Sequence, residues 1–256
     1  LIVVPPPAVG ASPEAIIRGF LRAGAAFQDN ADNEEPVGNA YLARTSIDRW
    51  RPTSLVTVYD RETTIKVESL PDDRWRASVV AVATIDDTGR YRELAPGTVS
   101  VVELHLVRVG GEWRVELPDN GFGVWLNTDD FARVFQAHEL NYPVRGASKR
   151  LVPDVRWFPA GPRLVTALAR AQLGVVPDYL VGAVETGFPD GARLAVDAVP
   201  VEAGVATVSL TGSASSADLV HKREMWAQLV ATLTALPGVA AVDVQVQGSG
   251  QLALSE

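Results

Sequence analysis

The stretch from Trp75 to Ile85 constrains this chain more than any other. Trp75, Ala77, Val79, Ala81, Ala83 and Ile85 recur at every second residue, while Arg76, Ser78, Val80, Val82 and Thr84 fill the opposite phase. Side chains alternate between faces only on a strand, so this spacing predicts one long strand with a continuous apolar face. Such a strand needs partners, and the neighbouring text supplies them. Val99–Val109 predicts a second long strand, and Gly110-Gly111 a tight turn into Glu112–Leu117, where Trp113, Val115 and Leu117 alternate with Glu112, Arg114 and Glu116. Leu55–Tyr59 and Thr63–Val67 are shorter strand candidates, and Asp86-Asp87-Thr88-Gly89 reads as a turn. The expectation is a curled, antiparallel sheet.

Helices flank it. Ser12-Pro13 is a capping hydroxyl followed by proline at the first helical position, and Ile16, Ile17, Phe20, Leu21, Gly24 and Phe27 then recur at helical spacing. Asp29 to Glu35 reads as a solvated acidic loop, and Ala40-Tyr41-Leu42 as a short helix. Asn127 or Thr128 caps another, with Asp129 and Asp130 favourably placed at its positive end. This helix-plus-sheet order is an α+β pattern. A domain boundary falls between Phe135 and Asn141, giving domains 1–136 and 137–256.

The second domain starts with strand candidates Leu140–Arg145 and Leu151–Phe158. A helix through Leu164, Ala167, Leu168 and Ala171 follows, with Gly174 as terminator, then a short helix over Pro177–Ala183. Leu194–Val201 and Val205–Leu210 make a hairpin around Glu202-Ala203-Gly204. Ser215-Ser216-Ala217-Asp218 reads as a capping box for a helix through Leu219, Trp226, Leu229, Val230 and Leu233, and Val242, Val244 and Val246 mark a last strand.

Composition narrows the function. The 256 residues carry a formal net charge of −8, which disfavours binding to a phosphate backbone, and no cysteine, which removes disulfides, zinc ribbons and thiol catalysis. Met225 to Val242 is interrupted by Gln228, Thr232, Thr234 and Pro237-Gly238, so no membrane span is expected. Because the chain begins at Leu1, it reads as a sequence cut downstream of a removed segment.

No catalytic, cofactor or metal residue is assigned, and the binding residues stay open. Gly248-Ser249-Gly250 and Gly121-Phe122-Gly123 lack the surroundings of a nucleophile elbow or phosphate loop and read as turns. His105, with Glu103 on the same strand face, is the first suspect for a general base in a pocket, set against an ordinary cross-strand pair. His138 and His221 read as surface residues. Asp72-Asp73 and Asp86-Asp87 read as turn formers. Trp75, Trp113 and Trp226 read as core, whereas Trp50, Trp125 and Trp157, at element ends or in loops, are candidates to stack on sugars or anchor a partner.

Phe188-Pro189-Asp190-Gly191-Ala192-Arg193-Leu194, followed by Val199-Pro200-Val201-Glu202-Ala203-Gly204-Val205-Ala206-Thr207-Val208-Ser209-Leu210, resembles the GerMN sporulation and germination domain. It departs from that pattern at Ala192, Ser209 and Thr211. Asp154-Val155-Arg156-Trp157-Phe158-Pro159 and Gly161-Pro162-Arg163-Leu164-Val165-Thr166-Ala167-Leu168, together with the preceding domain, resemble the LpqB family of actinobacterial lipoproteins. That resemblance implies an NTF2-like or cystatin-like first domain, a GerMN second domain, and a C-terminal β-propeller that is not in this sequence. It further implies an upstream lipidated cysteine and lipid anchoring on the outer face of the cytoplasmic membrane. The implied role is non-enzymatic: contact with the extracytoplasmic part of the sensor histidine kinase of the MtrA–MtrB two-component system, with effects on the cell wall. Two other roles stay open, cell-wall glycan binding through Trp157 and small-molecule binding or conversion at His105 and Glu103.

Overall fold

The computed structural model describes residues 4–27, 36–147, 150–252 and 254. The acidic loop expected at 29–35 lies outside the described residues. The chain divides into two compact units, Leu1–Gln136 and Ala137–Glu256.

In the first unit, α1 (Pro13–Ala23) starts where its cap requires, with Ser12 Oγ accepting from the Ala15 N–H at 3.3 Å. Ile16, Ile17, Phe20 and Leu21 are buried under it. After a single turn, α2 (Arg44–Ile47), come seven strands in one sheet. They are β1 (Leu55–Tyr59), β2 (Lys66–Ser69), β3 (Arg74–Asp86), β4 (Tyr91–Glu93), β5 (Val99–Val109), β6 (Glu112–Glu116) and β7 (Val124–Asn127). The path is β6-β5-β3-β1-β7, with β2 and β4 also pairing with β3. The long alternating strand is therefore the hub. Its phase is as read: Ala77, Val79, Ala81, Ala83 and Ile85 are buried, and the other phase is not.

Two details differ from expectation. β7 runs parallel to β1, so the sheet is mixed; a parallel neighbour is brought in by a long connection that local periodicity cannot register. β2 begins at Lys66 rather than Thr63, because its register is set by the turn into β3, where Asp72 and Asp73 take φ 60° and 54°. The unit closes with α3 (Thr128–Val134), whose cap is Asn127 Oδ1 accepting from the Asp130 N–H at 2.8 Å.

β8 (Phe135–Pro143) carries the chain across the boundary and pairs with β9 (Leu151–Pro159). α4 (Leu164–Gln172) follows. A second sheet has the order β10-β11-β12-β13, built from β10 (Val201–Glu202), β11 (Val205–Leu210), β12 (Ala241–Val246) and β13 (Gly250–Gln251). α5 (Leu219–Leu233) is the crossover that lets β11 and β12 run parallel.

The strand expected over Leu194–Val201 shrinks to two residues. The earlier part is held at scattered points, by the Leu194–Leu210 bridge, the Ala195 N–H to the Ser209 carbonyl and the Thr207 N–H to the Pro200 carbonyl, and Pro200 has no N–H to offer a ladder. The α5 cap is Asp218 itself, Oδ1 accepting from the His221 N–H at 2.9 Å. The hydroxyls of Ser215 and Ser216 instead bond back to the carbonyls of Gly212 and Ser213.

Candidate functional site

The first suspects are on the outward face of β5. Register places His105 opposite Glu116 and Glu103 opposite Arg76. His105 Nδ1 lies 3.0 Å from Glu116 Oε2, while Glu103 accepts from Arg76 Nη2 at 2.7 Å and Nε at 3.2 Å. The hydrogen bond from Arg76 holds the Glu103 carboxyl below the usual carboxylate range. His105, Glu116 and Glu103 line an open groove of ≈ 410 Å³ together with Arg49, Arg74 and Asp119. The structure therefore does not join His105 and Glu103 as a pair: each is taken by its own cross-strand partner. Exposed ion pairs of this kind contribute little to stability.

The tryptophans reverse their expected places. Trp50 and Trp125, read from loop positions as candidates for exposure, are both buried at 5%. The Trp50 indole N–H donates to the Gly123 carbonyl at 3.1 Å, and its ring packs where a Cβ on Gly38 would sit 2.3 Å away. Trp226, read as core, is 40% exposed on α5. Trp113 is half-buried beneath the Arg108 guanidinium, 4.1 Å from the ring centroid. It stands two residues past Gly111, at the turn end of the hairpin, where the alternating phase persists but the core does not. Trp157 is half-buried on β9, so the three tryptophans considered for sugar stacking do not present a common exposed face.

Two features of the first unit escaped the sequence reading. One is a cleft of ≈ 540 Å³ beside α1, rimmed by Arg18, Arg22 and Arg133, with Tyr59 and Asn127 at its wall. The i, i+4 spacing of Arg18 and Arg22 was the available signal, flanking the apolar stripe on one side. The other is on the outward sheet surface. Val80 and Val99 are register partners, and Val101 follows on the same face; they are 41%, 55% and 53% exposed. In the sequence these valines look like ordinary strand residues.

In the second unit the GerMN-like segment explains itself physically. A Cβ on Gly187 would lie 2.4 Å from Met225 N and 2.5 Å from His221 O, so only glycine lets this loop rest on the backbone of α5. The Gly187 N–H donates to Gln228 Oε1 at 2.8 Å, and Phe188 is buried. On β9, Asp154 and Arg156 are buried and joined at 2.5 Å, and the Tyr179 hydroxyl donates to Asp154. Among the described residues, no three His, Asp or Glu side chains converge where they could hold a metal ion, and no helix is long and apolar enough to cross a membrane.

Two mixed helix–sheet units, the second carrying a GerMN-type segment seated on its long helix, define the class. Family models match accordingly: the lipoprotein LpqB N-terminal domain over residues 6–132, and the sporulation and spore germination domain over residues 140–251. The chain belongs to the LpqB lipoprotein family. It is 32% identical to lipoprotein LpqB of Thermobifida fusca over 94% of this chain and 39% of that one. It is 31% identical to lipoprotein LpqB of Cutibacterium acnes, over 95% and 40%. The chain thus spans about two fifths of the length of these curated relatives. The tandem GerMN domains of the sporulation protein GerM from Bacillus subtilis are similar at 19% identity, with a TM-score of 0.36, over 46% of this chain and 40% of that one.

Proposed function

We propose that this chain is the protein-binding front part of an extracytoplasmic lipoprotein. It acts without catalysis, as an accessory to the sensor histidine kinase of a two-component system of the MtrA–MtrB kind. The family supports the lipid-anchored placement, and a helix laid against a largely antiparallel sheet supports an NTF2-like or cystatin-like reading of the first unit. With a net charge of −8, direct adsorption to an anionic membrane is disfavoured, which leaves tethering to the lipid.

The observation that carries the binding role is the outward valine cluster of the first unit, Val80, Val99 and Val101. Apolar side chains grouped on a solvent face mark interaction surfaces. The adjoining ladder of Arg76, Glu103, Arg74, His105 and Glu116 supplies a polar rim of both signs, which favours specificity of docking. A kinase modulator needs only different affinities for two kinase states, not reactive groups.

The test is titration of the whole chain against the isolated extracytoplasmic region of the kinase. Association that is lost in Val99→Asp/Val101→Asp, and kept in Val155→Asp of the second unit, supports the reading. No association at high micromolar concentration overturns it, and equal binding by both variants removes the valine face from it.

A further inference from the structure

The cleft beside α1 has a chemistry at odds with the rest of the molecule. The chain is acidic overall, yet among the described residues three arginines and a single carboxylate, Asp130, meet at this cleft. Their engagement differs. Arg18 is bonded to Glu14 at 2.8 Å and to the Ile65 carbonyl at 3.1 Å. Arg133 reaches Asp130 at 3.4 Å, and Asp130 is itself bound by the Asn127 side-chain amide at 2.7 Å. Arg22 has no ion pair or hydrogen bond to another side chain among the described residues; its charge acts on the Tyr59 phenol.

Tyr59 is the second polar element. It is half-buried, and burial together with the Asp130 charge raises its pKa, so the phenol stays a neutral donor at physiological pH. Below the polar groups the cleft is lined by Leu21, Ala25 and Trp125, all buried. An arginine fork can grip a carboxylate or phosphate through two parallel hydrogen bonds. An apolar floor beneath such a rim adds affinity for the body of the same molecule, and ≈ 540 Å³ falls within the range of small-ligand sites.

We infer that this cleft binds a small amphipathic organic anion, its acidic group held by Arg22 with Arg133 and the Tyr59 hydroxyl, its apolar body resting on Leu21, Ala25 and Trp125. The site shares no residue with the His105 groove or the valine face. Its failure would leave the protein-binding proposal untouched.

The test uses the whole chain and the fluorescent anion 8-anilinonaphthalene-1-sulfonate, with N-phenyl-1-naphthylamine as its uncharged counterpart. One saturable site for the anion is expected, weaker binding of the uncharged compound, and displacement by millimolar inorganic phosphate. Arg22→Glu should weaken the anion by roughly tenfold or more. Arg108→Glu changes net charge equally but stands on β5 and should leave the affinity unchanged. Vesicles containing phosphatidylglycerol identify the source of the acidic group. Arg22-dependent competition by vesicles supports the site and assigns a lipid headgroup; competition by soluble anions alone supports it and assigns a soluble ligand. Absence of a saturable site, equal loss in both charge reversals, or no loss in Arg22→Glu overturns the inference.

Discussion

The two units solve the problem of buried polar groups in opposite ways. In the first, regular strands and helices pair the backbone of the core elements, and the only buried polar side chains among the described residues are Ser46 and Thr57. In the second, buried Asp154, Arg156, Gln172, Gln228 and Thr232 thread the core. Part of the reason is the irregular run between α4 and β10. Chain without a ladder must still pair its N–H and C=O groups, and helix side chains do this. Gln228 receives the Gly187 N–H, and Thr166 Oγ1 receives the Val199 N–H at 2.9 Å. On the strand side, Gln172 both donates to the Asn141 carbonyl and accepts from its N–H, each at 3.0 Å, and Thr232 donates to Gln172 at 2.8 Å. A regular sheet tolerates any apolar filler, whereas an irregular one depends on individual polar residues.

The contrast is sharpest for ion pairs. Asp154→Ala removes a buried carboxylate that is bonded to both Arg156 and Tyr179, and should cost about 3–5 kcal/mol. Arg76→Ala, which removes an exposed pair of the first unit, should leave stability nearly unchanged. Urea unfolding of the whole chain, followed by amide hydrogen exchange, reads both, and equal costs would break the comparison. Gly187→Ala comes next, at about 1–3 kcal/mol, because helix backbone rather than a flexible side chain stands in the way. Exchange protection should fall first in α5.

His138 gives a pH-dependent version of the same contrast. Its Nε2 is buried with no partner among the described residues, and burial pushes its pKa below the ordinary imidazole value. As pH falls through about 6.5 the unfolded chain takes up a proton that the folded chain refuses, so stability declines from there down to the lowered folded pKa. His221, held above its ordinary value by Asp218, has the opposite sign but is exposed, and should offset little. Tm measured between pH 7.5 and 5.5 should drop, with a smaller drop in His138→Asn. The smallest effect reverses sign. Tyr142 is fully buried, its hydroxyl lacks a partner among the described residues, and burial pushes its pKa up to about 12. Tyr142→Phe should be neutral or stabilise by about 1 kcal/mol, since no hydrogen bond is lost; a loss of that size would show that the hydroxyl is satisfied after all.

Legibility followed the same division. β3, β5, β6 and the β5–β6 turn were readable to within a residue because a two-residue period and a two-glycine turn are local signals. Leu194–Val201 was over-read as a strand: its apolar residues answer to separate contacts along an irregular path. The reading of His105 with Glu103 was correct about the shared face but not about the partners, because pairing across strands depends on register. Arg22 and Arg133 lie far apart in sequence, and nothing local indicates that α1 and α3 bring them to one cleft.

What the sequence determined by itself is the long strands of the first unit and the caps of α1 and α3, which phase of the long strand is apolar, and, through the Phe188-Pro189 segment and its surroundings, the family. Period, caps and turn glycines are properties of neighbouring residues, so they survive without a fold. The tertiary structure alone decided which tryptophans are core, that β7 runs parallel to β1, and that three arginines of an acidic chain share one cleft. Each of these depends on residues distant in sequence meeting at a few ångströms, where packing and charge act and periodicity carries no information.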